Sequence, residues 1–292
     1  MRVRGRAATA GTILAVLMIG CSAGAATAAT TIGQSPPPTG APGGCAGVEV
    51  QTSVAGGNDY AAPTDGVITS WTSSLDGTVA FSTFRSAPGA GNYIRIAEDL
   101  QTVNGTRTTF PVRIPVLEGD RIGVQVPGAA ADDCLYLTGE GADVIGIGTN
   151  GPLGGPAETY SPALGYRFNL LAVVEADADR DGYGDETQDG CPAEAAFQGP
   201  CPDRIAPETT ITRAPTVVRT KKKRKRISIG FTSDESTTFA CSLDRAPAEP
   251  CTSPFRAKVR KGKHRFEVVA TDSAGNADAT PAIVTFKVKR KR

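Results

Sequence analysis

Histidine and tryptophan are nearly missing from this chain, with one of each among 292 residues. The lone histidine sits in Lys261-Gly-Lys-His-Arg-Phe266, among cations, with no nucleophile or ligand at motif spacing, so His264 reads as an exposed structural residue. No C-x₂-C pair exists, which leaves zinc without a ligand set. No G-x-S-x-G occurs, and beyond residue 29 no cysteine is left over once six are paired, so a nucleophile–base arrangement cannot be assembled. No stretch reaches the roughly 18 apolar residues that a membrane-spanning helix needs. From 45 to 174 clean 3.6-residue periodicity is also lacking, which argues against long amphipathic helices there.

What is present begins with an address. Arg2, Arg4 and Arg6, the apolar Thr12–Gly20 run and Ala26-Thr27-Ala28 together predict a signal peptide over residues 1–29 and an exported protein. Met18-Ile-Gly-Cys21 partly resembles a lipobox, so the alternative is a lipoprotein anchored at Cys21. Six cysteines remain in an oxidising compartment, which suggests three disulfides. Cys191 and Cys201 are neighbours, as are Cys241 and Cys251, leaving Cys45 with Cys134.

The Pro- and Gly-rich residues 30–44 read as a tether with too little apolar mass to fold. From 45 to 174, short apolar–polar alternations are broken by Gly, Pro, Asn and Asp. Ile122, Val124 and Val126 fall on one face of a strand, as do Phe110, Val112 and Ile114 on another. Asn104-Gly105 reads as a hairpin turn. An all-β fold is expected, with a jelly-roll-like sandwich here. Trp71, Tyr93 and Tyr136 could stack on sugar rings, although sandwich core is the simpler reading. Residues 207–289 carry a second strand pattern, followed by a basic tail at 290–292.

Between these regions, residues 175–203 hold D-A-D-R-D-G-Y-G-D-E-T-Q-D-G-C-P, from Asp177 to Pro192. Carboxylates at alternate positions (Asp177, Asp179, Asp181) can converge if the chain then bends, and Gly182 permits the bend. Ca²⁺ takes six to eight oxygens, and the Tyr183 carbonyl and Asp185 would add to the set. An EF-hand does not fit: a strand precedes the loop, Pro192 stops any exiting helix, and Gln188 stands where the closing Glu would be.

The stretch resembles the thrombospondin type-3 repeat, D-x-D-x-D-G-x-x-D-x-x-D-x-C-P, through Asp177, Asp179, Asp181, Gly182, Asp185, Cys191 and Pro192. That resemblance implies calcium binding in an extracellular protein. Asp189 lies one residue later than the repeat's last acidic position, so the closing ligand is Asp189, with Glu186 or Gln188 as alternates. Residues 207–289 resemble bacterial Ig-like domains through Pro207-Glu-Thr-Thr-Ile211, Phe239-Ala-Cys-Ser-Leu-Asp244, Pro250-Cys-Thr-Ser-Pro254 and Ala270-Thr-Asp-Ser-Ala-Gly-Asn276. An Ig-like β-sandwich serving as spacer or binding module is implied.

Charge is split along the chain. Residues 30–174 hold 13 acidic and 6 basic residues, and 175–203 hold 9 and 1. Residues 207–292 reverse this, with 8 acidic and 20 basic, so the near-neutral total of +1 conceals opposed regions. The runs Lys221-Lys-Lys-Arg-Lys-Arg226 and Lys287-Val-Lys-Arg-Lys-Arg292 could bind anionic cell-wall polymers or phospholipid headgroups, or simply guard an edge strand. Nucleic acid is not expected, given the export signal and the absence of nearby aromatics.

These observations predict a secreted or cell-surface, calcium-binding, non-catalytic modular protein. It would act in adhesion or ligand binding, with a cell-surface glycan as one candidate ligand, and calcium would stiffen the joint between two sandwiches. The alternatives are a passive spacer or coat protein rigidified by calcium, and a surface-glycan hydrolase using carboxylates such as Glu98 and Asp99.

Overall fold

The computed structural model describes residues 28–34 and 41–291. The expected signal peptide, apart from its last two residues, and the lipid site at Cys21 lie outside the described residues. The chain divides into two compact units, one ending at Cys201 and one beginning at Pro202.

The first unit is built from β1 (Thr30–Gln34), β2 (Ala41–Ser53), β3 (Gly66–Ser73), β4 (Asp76–Ser86), β5 (Asn92–Asn104), β6 (Thr108–Val116), β7 (Arg121–Leu137), β8 (Val144–Gly148), β9 (Glu158–Thr159), β10 (Ser161–Leu164), β11 (Tyr166–Phe168) and β12 (Leu170–Glu175). Two antiparallel sheets result, ordered β1-β12-β3-β6 and β10-β8-β2-β7-β4-β5-β9, with β11 on β7. Successive strands from β2 to β7 pass repeatedly from one sheet to the other, giving a jelly-roll-like sandwich.

Period-two alternation places the core between the sheets. Ile68, Trp71, Ile114 and Ala172 face Val79, Phe81, Ile122 and Val124. Trp71 stacks on Phe81 with ring centroids 5.4 Å apart and meets Phe110 at 4.6 Å, and its indole N–H donates to Asp99 Oδ2 at 2.7 Å. Such a buried Trp is worth about 3–5 kcal/mol when truncated. It is a core residue and offers no face to a sugar. Tyr136 is buried, and Tyr93 packs edge-on against Tyr160 in a smaller cluster with Val48, Val50 and Phe84.

Two expectations for this unit need correction. The tether over 30–44 is partly strand: Thr30–Gln34 pairs with β12, and β2 begins at Ala41. Ile32 is the reason, because it is buried in the core opposite Ala172. Gly33 allows the edge to close, since its φ is +74° and a Cβ there would collide with the Leu170 carbonyl. Asn104-Gly105 does turn the chain, with Gly105 at φ +75°, but it forms no hairpin. β5 pairs with β4 and β9 while β6 pairs with β3, and the Gly105 amide donates to Leu75 O at 3.0 Å, so the turn carries the chain between sheets.

The second unit comprises β13 (Thr209–Arg213), β14 (Val217–Thr220), β15 (Lys225–Ser233), β16 (Thr238–Leu243), β17 (Glu249–Cys251), β18 (Phe255–Val259), β19 (Gly262–Thr271) and β20 (Ala282–Arg290). Its sheets run β13-β15-β18 and β14-β20-β19-β16-β17, an Ig-like sandwich around Ile227, Ile229, Phe231, Phe266, Val268 and Phe286. His264 is buried here. Nδ1 pairs with Asp244 Oδ2 at 2.7 Å, Nε2 lies 3.0 Å from Arg260 O, and the ring stacks on Phe286. This corrects the expectation of an exposed residue: strand alternation turns His264 inward despite its charged neighbours.

All three disulfides form as the cysteine grouping suggests: Cys45–Cys134 joins β2 to β7, Cys191–Cys201 closes the acidic segment, and Cys241–Cys251 joins β16 to β17.

Candidate metal centre

The acidic segment belongs to the first unit and is fastened to its smaller sheet. β12 delivers Glu175 at the point where the chain leaves the sandwich, and this side chain is only 1% exposed. Its carboxylate accepts from the Glu186 and Thr187 amides at 3.1 and 2.9 Å and from the Thr187 and Thr69 hydroxyls at 2.7 and 3.0 Å. Charge-assisted bonds of this kind are about twice as strong as neutral ones. Gln188 Nε2 donates to Val112 O at 2.8 Å, and the Arg113 guanidinium lies 4.0 Å above the Tyr183 ring centroid. Gly184 is the point of closest approach, where a Cβ would stand 2.6 Å from both Glu175 Oε2 and Thr69 Cγ2.

On this base the loop folds back on itself. Gly182 takes φ +86°, and one carboxylate oxygen from each of Asp177, Asp179 and Asp181 lies within 4.8 Å of the others. Asp177 accepts from the Asp181 and Gly182 amides at 3.1 and 2.9 Å. Asp181 accepts from the Tyr183 amide at 2.9 Å and from Gln198 Nε2 at 2.8 Å. Asp185 Oδ1 accepts from the Ala178 amide at 3.1 Å, and Asp189 Oδ1 from the Cys191 amide at 2.7 Å.

Two oxygens are left over. Asp179 Oδ2 and Asp189 Oδ2 are buried without a hydrogen-bond partner. A buried carboxylate oxygen without a partner is costly, and buried charges ordinarily pair or coordinate metals. Asp185 is 7% and Asp189 6% exposed. Burial raises the Asp179 pKa, and the charges of Asp181, Asp189 and Asp177 add to it. Asp185 is raised by burial and then by Asp177, Asp189 and Asp179. Asp177, Asp179 and Asp181 thus come within reach of one ion, whereas Asp185 and Asp189 stand outside that group of three but near enough to repel it; clustered carboxylate oxygens are the donor type a hard cation takes.

The alternates for the closing position are engaged elsewhere. Glu186 is exposed and accepts from the Ala29 amide at 2.9 Å, and Gln188 is held by Val112. Glu175 and Gln198 belong to no motif in the sequence, although a lone acid ending an apolar strand is a signal for the first. Glu98 and Asp99, the carboxylates considered for hydrolysis, are adjacent on β5 and separate: Glu98 pairs with Arg95 at 2.7 Å, and Asp99 turns inward to Trp71. A second acidic group, Asp203, Glu235 and Asp272, stands in the second unit, where both Asp272 oxygens accept from Asn276.

No protein-family model and no curated protein matches the chain. Among solved structures it is similar to fibronectin(III)-like modules of Clostridium thermocellum CbhA, at 21% identity and a TM-score of 0.23, over 29% of this chain and 100% of that one. It is also similar to the extracellular domain of the one-component system BT4673 of B. thetaiotaomicron, at 12% identity and a TM-score of 0.21, over 68% of this chain and 27% of the other. A Ruminococcus gnavus β-glucuronidase is matched at 8% identity and a TM-score of 0.21, over 76% of this chain and 33% of the enzyme. Likenesses this weak carry no functional argument.

Proposed function

We propose that this is a secreted or cell-surface calcium-binding modular protein that works by adhesion or ligand recognition without catalysis. The observation that carries this reading is the pair of buried, partnerless oxygens on Asp179 and Asp189, within one self-repelling carboxylate cluster. Asp177, Asp179, Asp181, Asp185 and Asp189 would hold the ion, with the Tyr183 carbonyl contributing a neutral oxygen. Asp189 is preferred to Glu186 as closing ligand because it is buried and has an oxygen to spare, whereas Glu186 is exposed and bonded to Ala29.

The segment packs through Glu175, Gln188 and Tyr183 onto the first sandwich, so calcium would lock this fastening. That differs from a free joint between two sandwiches. Kinship with the thrombospondin type-3 repeat is part of the proposal and rests on the D-x-D-x-D-G and Cys-Pro spacing. The first sandwich would present the recognition surface, with glycan as one candidate ligand. In the passive alternative, calcium supplies rigidity alone.

Isothermal calorimetry of the full chain with CaCl₂ tests the core of this reading. A single site with Kd on the order of 10⁻⁴–10⁻³ M is expected for an extracellular module, and Asp181→Ala should abolish it. Absence of heat at millimolar calcium in the wild type would remove the metal from the account.

A further inference from the structure

Three stretches distant in sequence meet at one end of the second unit and form a cleft of about 520 Å³. Its walls come from the end of β14, the turn 221–224, the start of β15, Lys258 of β18 and Lys291 beyond β20. Eight of the nine lining residues are Lys or Arg, the ninth is Thr220, and neither a carboxylate nor an aromatic ring is among them. No ion pair engages these cations among the described residues.

The backbone holds the cleft in shape. Buried Thr220 accepts from the Lys222 amide through its hydroxyl at 3.1 Å and from the Lys291 amide through its carbonyl at 3.0 Å, tying the turn to the end of β20. Strand register then sets like charges face to face. Arg226 stands opposite Lys258 across β15 and β18, and Arg219 opposite Lys289 across β14 and β20. Like charges directly opposite destabilise a sheet, and an anion between them would offset that repulsion. Edge protection needs only scattered lysines; it does not require cations to converge on a hollow. Further hollows adjoin the cleft. Arg226 and Lys258 line a second hollow of about 280 Å³ with Arg256, and Lys225 and Arg226 line a third with Arg213.

We propose that this cleft binds a linear, phosphate-bearing polyanion. Neighbouring hollows with shared basic walls suit an extended chain better than a single small anion, and concave walls suit a polymer better than a flat membrane. Arg219, Arg224 and Arg226 can each grip phosphate oxygens in a bidentate fork. The want of aromatic faces disfavours single-stranded nucleic acid, whose bases stack on such rings. This inference is independent of the calcium site.

The test uses the full chain in calcium-free buffer, with a labelled medium-chain inorganic polyphosphate as probe and fluorescence anisotropy as readout at about 50 and about 200 mM NaCl. Binding should weaken with salt with a log–log slope of about −0.7 per contacted phosphate. Combined Lys221→Ser, Lys222→Ser, Arg224→Ser and Arg226→Ser should weaken it at least roughly 30-fold. Combined Arg245→Ser, Lys261→Ser, Lys263→Ser and Lys287→Ser removes equal charge elsewhere and should change it less than about threefold. Equal losses in the two variants would reduce the effect to net charge and overturn the site. Absence of binding at the lower salt would overturn it too. Tighter binding of phosphatidylglycerol vesicles or oligothymidylate than of polyphosphate would replace the proposed ligand class with a membrane or a nucleic acid.

Discussion

In the acidic segment, Asp179 and Asp189 each turn one oxygen inward where nothing meets it, while in the second unit Lys221, Lys222, Arg224 and Arg226 stand exposed around an open hollow. Both regions crowd charge of one sign. Burial separates their consequences. A small, dehydrating ion is the natural counter-charge for enclosed carboxylates, because the self-energy of a buried charge is large. Exposed cations keep their water and exchange counter-ions freely, so their natural partner is a long, salt-sensitive anion. Glu49 supplies a third case. It is an isolated buried carboxylate, 5% exposed, with Oε1 accepting from the Ala46 amide and Oε2 unpartnered. Burial pushes its pKa up to about 7. A lone acid has no like-charged neighbours, whereas the clustered aspartates also feel one another's charge.

The largest expected effect breaks the fastening of the acidic segment. Glu175→Ala removes the acceptor for two amides and two hydroxyls in a buried setting. Bonds to a charged partner are worth roughly 1.5–3 kcal/mol each and do not sum fully, so a loss of about 4 kcal/mol from the first unit is expected by urea unfolding. A loss below about 1 kcal/mol would mean that the segment is not held by this residue.

Next comes Glu49, which sharpens the contrast between proton and metal. Its proton is held more tightly folded than unfolded, so stability is greatest below the unfolded pKa, near 4.5. It then falls as pH rises toward the folded value of about 7, and is flat above it. At about 1.4 kcal/mol per pH unit the fall totals roughly 3 kcal/mol. Glu49→Gln should therefore be more stable than wild type by about that amount at pH 8, and the advantage should vanish near pH 4.5. Parallel stability–pH curves for the two proteins would show that Glu49 titrates normally.

Local pattern made much of this legible. Period-two alternation named the inward faces of β6 and β7, and the cysteine grouping gave the three disulfides found. Alternate aspartates before Gly182 pointed to carboxylates that the structure does gather. Features that depend on distant contacts were not legible. Ile32 looks like tether until Ala172 is placed beside it, and Asn104-Gly105 announces a turn without saying which sheet the chain enters. Glu175 gains its role only when Thr69 and Thr187 arrive from either side in sequence. The basic cleft is legible as composition in Lys221–Arg226, but its concavity needs Lys258 and Lys291 brought to the same end.

Calcium should give a smaller effect than either substitution. At free calcium ten times Kd the bound form gains about 1.4 kcal/mol. The amides of Asp181, Gly182 and Tyr183 donate to Asp177 and Asp181, so their hydrogen exchange should slow about tenfold. Asp189→Asn should lose most of that protection while Glu186→Gln keeps it. The reverse ranking would make Glu186 the closing ligand.

The smallest effect tests the exposed side of the comparison. Lys258→Glu replaces a like-charge pair with Arg226 by an opposite-charge one on directly paired strands. Cross-strand charge pairs contribute roughly 0.2–1 kcal/mol, so the second unit should gain a few tenths of a kcal/mol. That gain should shrink as salt is raised from about 0.1 to about 1 M, because the Debye length contracts from about 10 to about 3 Å. The same substitution should weaken polyphosphate binding, since it places a carboxylate in the hollow. A residue that costs stability where it stands, and improves anion binding by standing there, distinguishes a binding cleft from a solvated edge. Stability and binding moving in the same direction on this substitution would remove that distinction.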